Sequence, residues 1–185
     1  MHVLFIARGY PTPKYLMNGI FEFDQALALL ERGVSVSLIA VDLRSIRRWR
    51  KLGLETGRKE GINYYVLNIP IGRGFSRFRD VISNLGYYYL FKKVQRISGK
   101  PDLIHAHFSY VGKNLKLLRN KTNIPIILTE HWSRLMETKL DHKVVKTASL
   151  AYEITDRIIS VSNGLSNVLR ESFCRNSEII PNIVN

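Results

Sequence analysis

The sequence predicts an α/β domain built on a doubly wound, mostly parallel sheet of about seven strands. Short, continuously apolar runs recur along the chain, as expected of strands that are buried on both faces. Segments with apolar residues at helical spacing alternate with them, and no hairpin turn is evident between neighbouring strands. With 185 residues, 45% hydrophobic and 23% charged, the chain has the size and composition of one globular domain.

In the first half of the chain, three apolar segments predict buried strands. A helix is expected between the first two, because apolar residues recur at helical spacing from Ile20 to Leu30 and Gly33 suits a helix C-cap. A second helix is expected over residues 80–98, whereas residues 42–61 show neither pattern and are expected to be irregular. The predicted strands are Val3–Ala7, Val34–Val41 and Ile62–Ile69, and the predicted core face of the second helix carries Tyr87, Leu90, Val94 and Ile97.

The second half repeats the alternation of strand and helix. A helix striped by Val111, Leu115 and Leu118 is expected first, followed by a longer one over residues 136–155. Ser162 is suited to cap a third, short helix. The predicted strands are Leu103–His107, Ile126–Thr129, Arg157–Val161 and Glu178–Pro181.

The charge of the chain is strongly positive and unevenly distributed. There are 28 Lys and Arg against 15 Asp and Glu, and residues 42–100 alone hold 14 against 4, a net charge of +10. Aromatic side chains interrupt two Arg-rich clusters there, at 44–51 and 73–79. A solvated surface, an anionic membrane surface and nucleic acid are all compatible with such a pattern.

Several classes of protein are excluded or disfavoured. No apolar run approaches the roughly 20 residues that a membrane-spanning helix needs. The single cysteine, Cys174, excludes an internal disulfide and a cysteine metal cluster. The N-terminal apolar run is short and followed by Arg8, which indicates a first strand and not a secretory signal. We therefore expect a cytoplasmic protein.

Polar residues gather where the predicted strands end, which is where a doubly wound sheet binds ligands. Asn18-Gly19 opens the first helix, although a glycine there also suits a plain tight turn. The chain has no G-x-G-x-x-G, P-loop or G-x-S-x-G pattern, which disfavours a nicotinamide or flavin enzyme. The later strand ends carry His105–His107, Thr129–Ser133, Ser160–Gly164 and Pro181-Asn182.

Two histidines two residues apart on a strand, His105 and His107, point to the same face. They could bind a metal together with Glu130 or His131. Because no helix-borne His-Glu pair or cysteine cluster accompanies them, packing and hydrogen bonding at the strand ends are the favoured roles.

Four stretches of the chain form a familiar series. They are Asn18-Gly19 with the helix that runs to Gly33-Val34-Ser35-Val36, then Pro101–His107, Pro125–His131, and Asp156–Ser162 followed by Ile179-Ile180-Pro181-Asn182. In this order they resemble the N-terminal half of a GT-B glycosyltransferase of the large retaining family 4, whose fold is Rossmann-like. Two positions depart from the family pattern, since Asn18 replaces the first of two glycines and Ile183 replaces the glycine after Pro-Asn.

The resemblance implies transfer of a sugar from a nucleotide-sugar donor to a glycan or lipid-linked acceptor, in cell-surface polysaccharide biosynthesis. It implies no metal or other cofactor, because side chains and helix dipoles serve the diphosphate. His131 matches the family's catalytic-site histidine, Gly19 would turn its N–H to the donor phosphate, and Glu130 would orient His131 or bind acceptor hydroxyls. The substrate-binding residues that the resemblance implies are Tyr10, Asn18, Gly19, His107, Glu130, Ser162 and Asn182.

The resemblance also implies a division of labour. Residues 1–182 would form the acceptor-binding domain and 183–185 would begin a linker to a donor-binding domain, so the chain by itself is expected to be inactive. Because many relatives act at membranes, the basic segment becomes a predicted peripheral patch at the inner face of a membrane, and nucleic acid is disfavoured. The predicted patch residues are Arg47, Arg48, Trp49, Arg50 and Arg77. The alternative is a non-catalytic anion-binding module that docks acidic membrane or nucleic acid through residues 42–100.

Overall fold

A computed structural model describes residues 1–44, 52–71 and 78–183, which form a single sheet with helices on both faces. The strands are β1 (His2–Ala7), β2 (Ser35–Arg44), β3 (Gly53–Lys59), β4 (Ile62–Pro70), β5 (Leu103–His107), β6 (Ile126–Glu130), β7 (Arg157–Ser160) and β8 (Glu178–Ile179). The helices are α1 (Ile20–Glu31), α2 (Arg79–Ser98), α3 (Ser109–Gly112), α4 (Lys116–Lys121), α5 (His142–Glu153) and α6 (Asn163–Phe173).

The sheet confirms the predicted doubly wound, mostly parallel architecture. Its strand order is β3-β4-β2-β1-β5-β6-β7-β8, and every pairing except β3 with β4 is parallel. The order reverses at β1, which pairs with β2 on one side and with β5 on the other. A ligand crevice is expected beyond the carboxyl ends of β1 and β5, because the connections leave them in opposite directions.

The count of about seven strands and the absence of a hairpin were wrong at one edge of the sheet. Residues 53–59, predicted to be irregular, form β3, which pairs antiparallel with β4. Glu60 and Gly61 make the turn, both with positive φ, as a tight hairpin requires. This edge strand carries two glycines and several charges, so neither the apolar run nor the alternation of a buried strand was visible in it.

The core has two parts, one on each face of the sheet. On one face, α1 packs through Phe23 and Ala26 against β1, β2 and β4. On the other, α2 contributes Tyr87, Leu90 and Val94 to a larger cluster shared with α3, α4, α5 and α6. Burial on both faces explains why the central strands consist of continuous apolar runs.

Helix ends follow the sequence signals where capping groups are present. The residues after α1 form a Schellman motif, in which the N–H groups of Gly33 and Val34 donate to the carbonyls of Leu30 and Leu29. Ser162 caps α6 as predicted, with its hydroxyl accepting from the N–H of Leu165 at 3.3 Å. The helix predicted over residues 136–155 begins later, at His142, because Asp141 caps it there.

We predict that Ser162→Ala destabilises the fold by about 1 kcal/mol, because α6 loses the acceptor for one of its unpaired N–H groups. Urea unfolding monitored by circular dichroism would measure the loss. Asn163→Ala, one position further along and exposed, is the matched control and should change stability by less than about 0.5 kcal/mol. Equal losses in the two variants would contradict the capping role.

Candidate active-site crevice

The turn at the end of β1 is fixed by a partly buried ion pair. Arg8 donates from its side-chain Nε to Glu22 at 3.0 Å, and its main-chain N–H donates to the same carboxylate at 3.3 Å. Glu22 lies in the first turn of α1 and is fully buried, so the pair ties the helix start to the strand end. The guanidinium also lies 4.1 Å from the ring centre of Phe108, which follows β5. One side chain thus joins both sides of the switch point.

Phe108 itself holds an unusual backbone conformation. Its φ is 64° and its ψ is 130°, a region that costs a non-glycine residue on the order of 1–3 kcal/mol. The turn places its ring between the Arg8 guanidinium and the imidazole of His131, whose ring centre is 4.8 Å away. Strain of this kind persists only where the surroundings over-determine it, and here it shapes the crevice wall.

Three histidines stack in a row behind this wall. The ring centres of His105 and His107 are 4.4 Å apart and those of His107 and His131 are 5.4 Å apart, with Phe5 packed against the first two. Nδ1 of His107 and Nε2 of His131 share a hydrogen bond of 3.2 Å, and Nε2 of His105 bonds to the Thr129 hydroxyl at 2.7 Å. The two strand histidines face one side, as predicted.

The row is held neutral by its surroundings. Burial lowers the pKa of His105 to about 3 and that of His131 to about 4, and it places the pKa of His107 well below its usual value. For His131, the nearby Glu22 and the side chain of Asn182 oppose this shift, while Arg8 adds to it. At neutral pH the imidazole of His131 therefore acts as an uncharged hydrogen-bonding group.

Glu130 anchors the turn that carries His131. Its carboxylate is fully buried and accepts from the main-chain N–H groups of Ser109, His131 and Trp132 and from the Tyr152 hydroxyl at 2.8 Å. Burial raises its pKa, and these hydrogen bonds oppose the rise. The carboxylate thus joins the ends of β5 and β6 to α5.

The start of α1 closes the other side of the crevice. Gly19 caps the helix in a left-handed conformation with φ 73°, and a side chain there would collide with the main-chain carbonyl of Gly9. Two residues later, the Phe21 ring stacks on His131 with 5.9 Å between the ring centres. The helix start, His131 and Asn182 therefore meet at one place.

A cleft of about 320 Å³ opens next to this crevice, beyond the ends of β1 and β2. Arg8, Asn18, Arg44, Arg79 and Asn114 line it, with Tyr110 and Lys113. The buried amide atoms Nδ2 of Asn18 and Oδ1 of Asn114 have no hydrogen-bond partner in the described part of the chain. Both atoms are closed to solvent, so the polar groups that a ligand in the cleft would meet are those of the partly exposed Arg44, Arg79 and Lys113.

The sequence is similar to those of known glycosyltransferases. Residues 23–185 match the family model of Glycosyltransferase Family 4. The chain belongs to Glycosyltransferase Family 4. An uncharacterized glycosyltransferase of Methanocaldococcus jannaschii is 32% identical over 124 residues, which cover 66% of this chain and 34% of that protein.

Solved structures of glycosyltransferases share the fold. Sucrose-phosphate synthase from Thermosynechococcus elongatus matches all of this chain and 49% of its own, with a TM-score of 0.71 and 17% identity. The catalytic domain of starch synthase IV from Arabidopsis thaliana, bound to ADP and acarbose, matches 97% of this chain and 51% of its own, with a TM-score of 0.55 and 15% identity. The fold is that of a Rossmann-like GT-B domain, and the chain spans between about a third and a half of the length of these relatives.

Some residues predicted from the family motifs face the crevice or the cleft, and others are buried or bonded to groups of the protein itself. Gly19, His131 and Asn182 surround the crevice, and Asn18 lines the adjoining cleft. His107 is fully buried behind His131, so its role in direct substrate binding is not supported and it supports the ring of His131 instead.

Three predicted substrate-binding residues are engaged by the protein itself. Tyr10 turns away from the crevice, since its hydroxyl donates to Glu55 and its ring stacks on Tyr64. Ser162 uses its hydroxyl as the α6 cap. Of the two roles predicted for Glu130, orienting His131 fits its buried position, and contact with acceptor hydroxyls does not.

Sequence reasoning missed the pair of Arg8 and Glu22. The signal was present, because Glu22 stands between Phe21 and Phe23 at the start of an amphipathic helix, where a buried carboxylate needs a partner. The sequence did not show which basic residue pairs with Glu22. The sheet topology brings Arg8, at the end of β1, next to this carboxylate.

Other predictions concern metals and membranes. Within residues 1–44, 52–71 and 78–183, no group of three or more His, Cys, Asp and Glu side chains is arranged to hold a metal ion. No helix among these same residues is both long and apolar enough to span a bilayer. The predicted membrane patch, Arg47, Arg48, Trp49, Arg50 and Arg77, lies outside the described residues.

We predict that Glu130→Gln lowers the free energy of unfolding by about 2–4 kcal/mol, because an amide cannot accept from all the N–H groups that the carboxylate satisfies. Tyr152→Phe, which removes one donor and keeps the ring, should cost about 1 kcal/mol. Urea unfolding of both variants would measure the difference. If Glu130→Gln proved as stable as the parent protein, the carboxylate could not be the anchor of this turn.

We also predict that acid destabilises the protein through the histidine row. The folded-state pKa values of His105, His107 and His131 lie below the usual 6.5, so unfolding takes up protons. Their contribution to stability is complete above about pH 6.5 and is lost as the pH falls from there, down to about 4 for His131 and about 3 for His105. Between pH 7.5 and 5.5 we expect a loss of about 1 kcal/mol for each histidine.

Thermal unfolding of the parent protein and of His107→Phe at several pH values would test this. Phe keeps the stack but cannot take up a proton, so the variant should lose about a third of the pH dependence, whatever its absolute stability. His142→Phe, at the exposed start of α5, is the matched control and should keep the full dependence. The same slope in all three proteins would refute the prediction.

Proposed function

We propose that the chain is the acceptor-binding half of a retaining glycosyltransferase. In this proposal residues 1–182 hold the acceptor, and residues 183–185 begin a linker to a second domain that binds most of the nucleotide-sugar donor. Membership of Glycosyltransferase Family 4 supports the activity. The observation that supports the division of labour is the meeting of the α1 start, His131 and Asn182 at one crevice beyond the strand ends.

The donor would meet the chain at the start of α1. The N-terminus of a helix carries partial positive charge and favours an anion such as the diphosphate of a nucleotide sugar. Because Gly19 has no side chain, its backbone can approach such a group closely. Stabilisation of the leaving diphosphate would then come from main-chain N–H groups, which need no reorganisation during the reaction.

His131 would contact the transferred sugar or the acceptor. Its Nε2 is bonded to His107, whereas its Nδ1 is buried beside Asn182 and has no hydrogen-bond partner among the described residues. The lowered pKa keeps the ring neutral, so it would act as a hydrogen-bonding partner for a hydroxyl and not as a proton store. Glu130, buried beneath it, would act as a positioning residue.

The acceptor would lie in the cleft lined by Asn18, Arg44 and Arg79. The guanidinium groups of Arg44 and Arg79 suit a hydroxylated acceptor, either a glycan or the head of a lipid-linked sugar. Cell-surface polysaccharide biosynthesis is the pathway that we propose for such a reaction.

Donor binding tests the division of labour. Titration of UDP-glucose, GDP-mannose and ADP-glucose into the 185-residue chain, followed by calorimetry, should give at most weak binding, since one half of the crevice contributes few contacts. Submicromolar affinity for any of these donors would overturn the proposal that a second domain supplies most of the donor site.

Transfer by a longer polypeptide that includes the proposed donor domain tests the residue roles. Gly19→Ala and His131→Asn should each lower kcat by about 100-fold, because each removes a contact proposed for the reacting groups. Gly33→Ala and His142→Asn are the matched controls, since Gly33 also has positive φ but lies at the far end of α1. Unchanged kcat in both site variants would argue against the assigned roles.

A further inference from the structure

Helix α2 leaves a row of large apolar side chains in water. Phe78, just before the helix, and Val81, Leu85 and Tyr89 within it are each more than half exposed, and Ile97 continues the exposure in the last turn. The first four are spaced by three or four residues and therefore lie along one side of the helix. Single exposed apolar residues are ordinary, but an aligned row marks a surface that something covers.

The row is not a displaced core face. The opposite side of α2 is buried against β2 and β4 through Tyr87, Leu90, Phe91 and Val94. Gly86 lets the helix approach the sheet so closely that a side chain there would lie 2.9 Å from Val41. The helix is thus fully seated, and its outer face has no partner in the described part of the chain.

The charges on this helix point to the chemistry of the partner. Lys92, Lys93 and Arg96 follow the apolar row along the helix, and none of the three forms an ion pair among the described residues. The only acidic residue of α2, Asp80, is neutralised by Lys113 at 2.8 Å. Apolar side chains with flanking basic groups and little negative charge are what binds a helix to the interface of an anionic bilayer.

The apolar row lies on the helix that also lines one side of the cleft. Arg79, Asp80 and Ser83 line the cleft of about 320 Å³, while Phe78, Val81 and Leu85 from the same turns face water. A bilayer in contact with the apolar row would therefore lie beside the cleft mouth. A helix of 20 residues is about 30 Å long, which gives the contact a fixed direction across the surface.

We propose that the outer face of α2 docks the protein onto an anionic lipid bilayer. The docking face comprises Phe78, Val81, Leu85, Tyr89, Lys92, Lys93, Arg96 and Ile97. It is separate from the predicted patch of Arg47, Arg48, Trp49, Arg50 and Arg77, and it is built from described residues. Delivery of a lipid-linked acceptor to the cleft rests on the proposed function, but the docking itself does not.

Vesicle flotation with the 185-residue chain tests the docking. We expect binding to vesicles of phosphatidylcholine with 30% phosphatidylglycerol and much weaker binding to phosphatidylcholine alone. Leu85→Gln/Tyr89→Gln should weaken binding at least about tenfold, because it removes the apolar contact. Lys92→Gln/Lys93→Gln/Arg96→Gln should weaken binding by roughly fivefold for each charge at low salt, with the salt dependence reduced.

Matched controls come from α5, where Lys146→Gln/Leu150→Gln removes one basic and one exposed apolar residue away from the docking face. This variant should bind vesicles as the parent protein does, and far-ultraviolet circular dichroism should show every variant folded. Vesicle binding that is absent, or that the α2 variants leave unchanged, would overturn the proposal. So would concentration-dependent dimerisation in sedimentation that Leu85→Gln/Tyr89→Gln abolishes, because the face would then belong to a second copy.

These outcomes are separable from those of the proposed function. Loss of vesicle binding in the α2 variants with tight donor binding by the chain would keep the docking and overturn the division of labour. The reverse pattern would overturn the docking and keep the division of labour.

Discussion

A single buried carboxylate fixes the geometry on which the crevice depends. Burying an ionised group is costly unless it is hydrogen-bonded on all sides, and Glu130 meets that requirement with three main-chain N–H groups and the Tyr152 hydroxyl. Those N–H groups belong to the turns after β5 and β6. The need to satisfy the carboxylate therefore holds the two turns in one arrangement, and His131 occupies the position that this arrangement leaves for it.

The second constraint acts on protonation. Three touching histidines could not hold several charges at such short distances, and burial keeps the row neutral. Neutral imidazoles can stack on Phe5 and Phe108 and can share hydrogens with one another. Arg8 and Glu22, which also lie near the row, form an ion pair at 3.0 Å, so their charges offset each other. The imidazoles of the crevice wall are thus uncharged, and the start of α1 adds positive potential beside them.

The sequence was sufficient for the central sheet and insufficient for its edge and for several site residues. Strands β1, β2 and β5 are recognisable in the sequence as largely apolar segments, because helices cover both faces of the sheet there. Strand β3 is an exposed edge, and only the turn at Glu60-Gly61 could have indicated it. Tyr10 and Ser162 stand at strand ends like the crevice residues, but local partners engage them, Glu55 for one and the Leu165 N–H for the other. The position of a residue at a strand end predicts that it lies near the crevice. Whether its side chain faces the crevice or bonds to another residue depends on the tertiary structure, which the sequence pattern does not reveal.

Helix α2 shows the same limit in a different form. Its sequence is apolar on two sides, and periodicity identified the side that faces the sheet but not where along the helix that contact ends. Tyr87, Leu90 and Val94 are buried as predicted, whereas Ile97, predicted to share that face, is exposed. The residues that the core does not use form the aligned outer row. A soluble helix that needed only to cover the sheet would gain by carrying polar residues there, since an exposed apolar row invites association. Four aligned apolar side chains beside lysines and an arginine that form no ion pair within the described residues are therefore better explained by a second environment than by the core. A negatively charged bilayer offers both apolar depth and opposite charge.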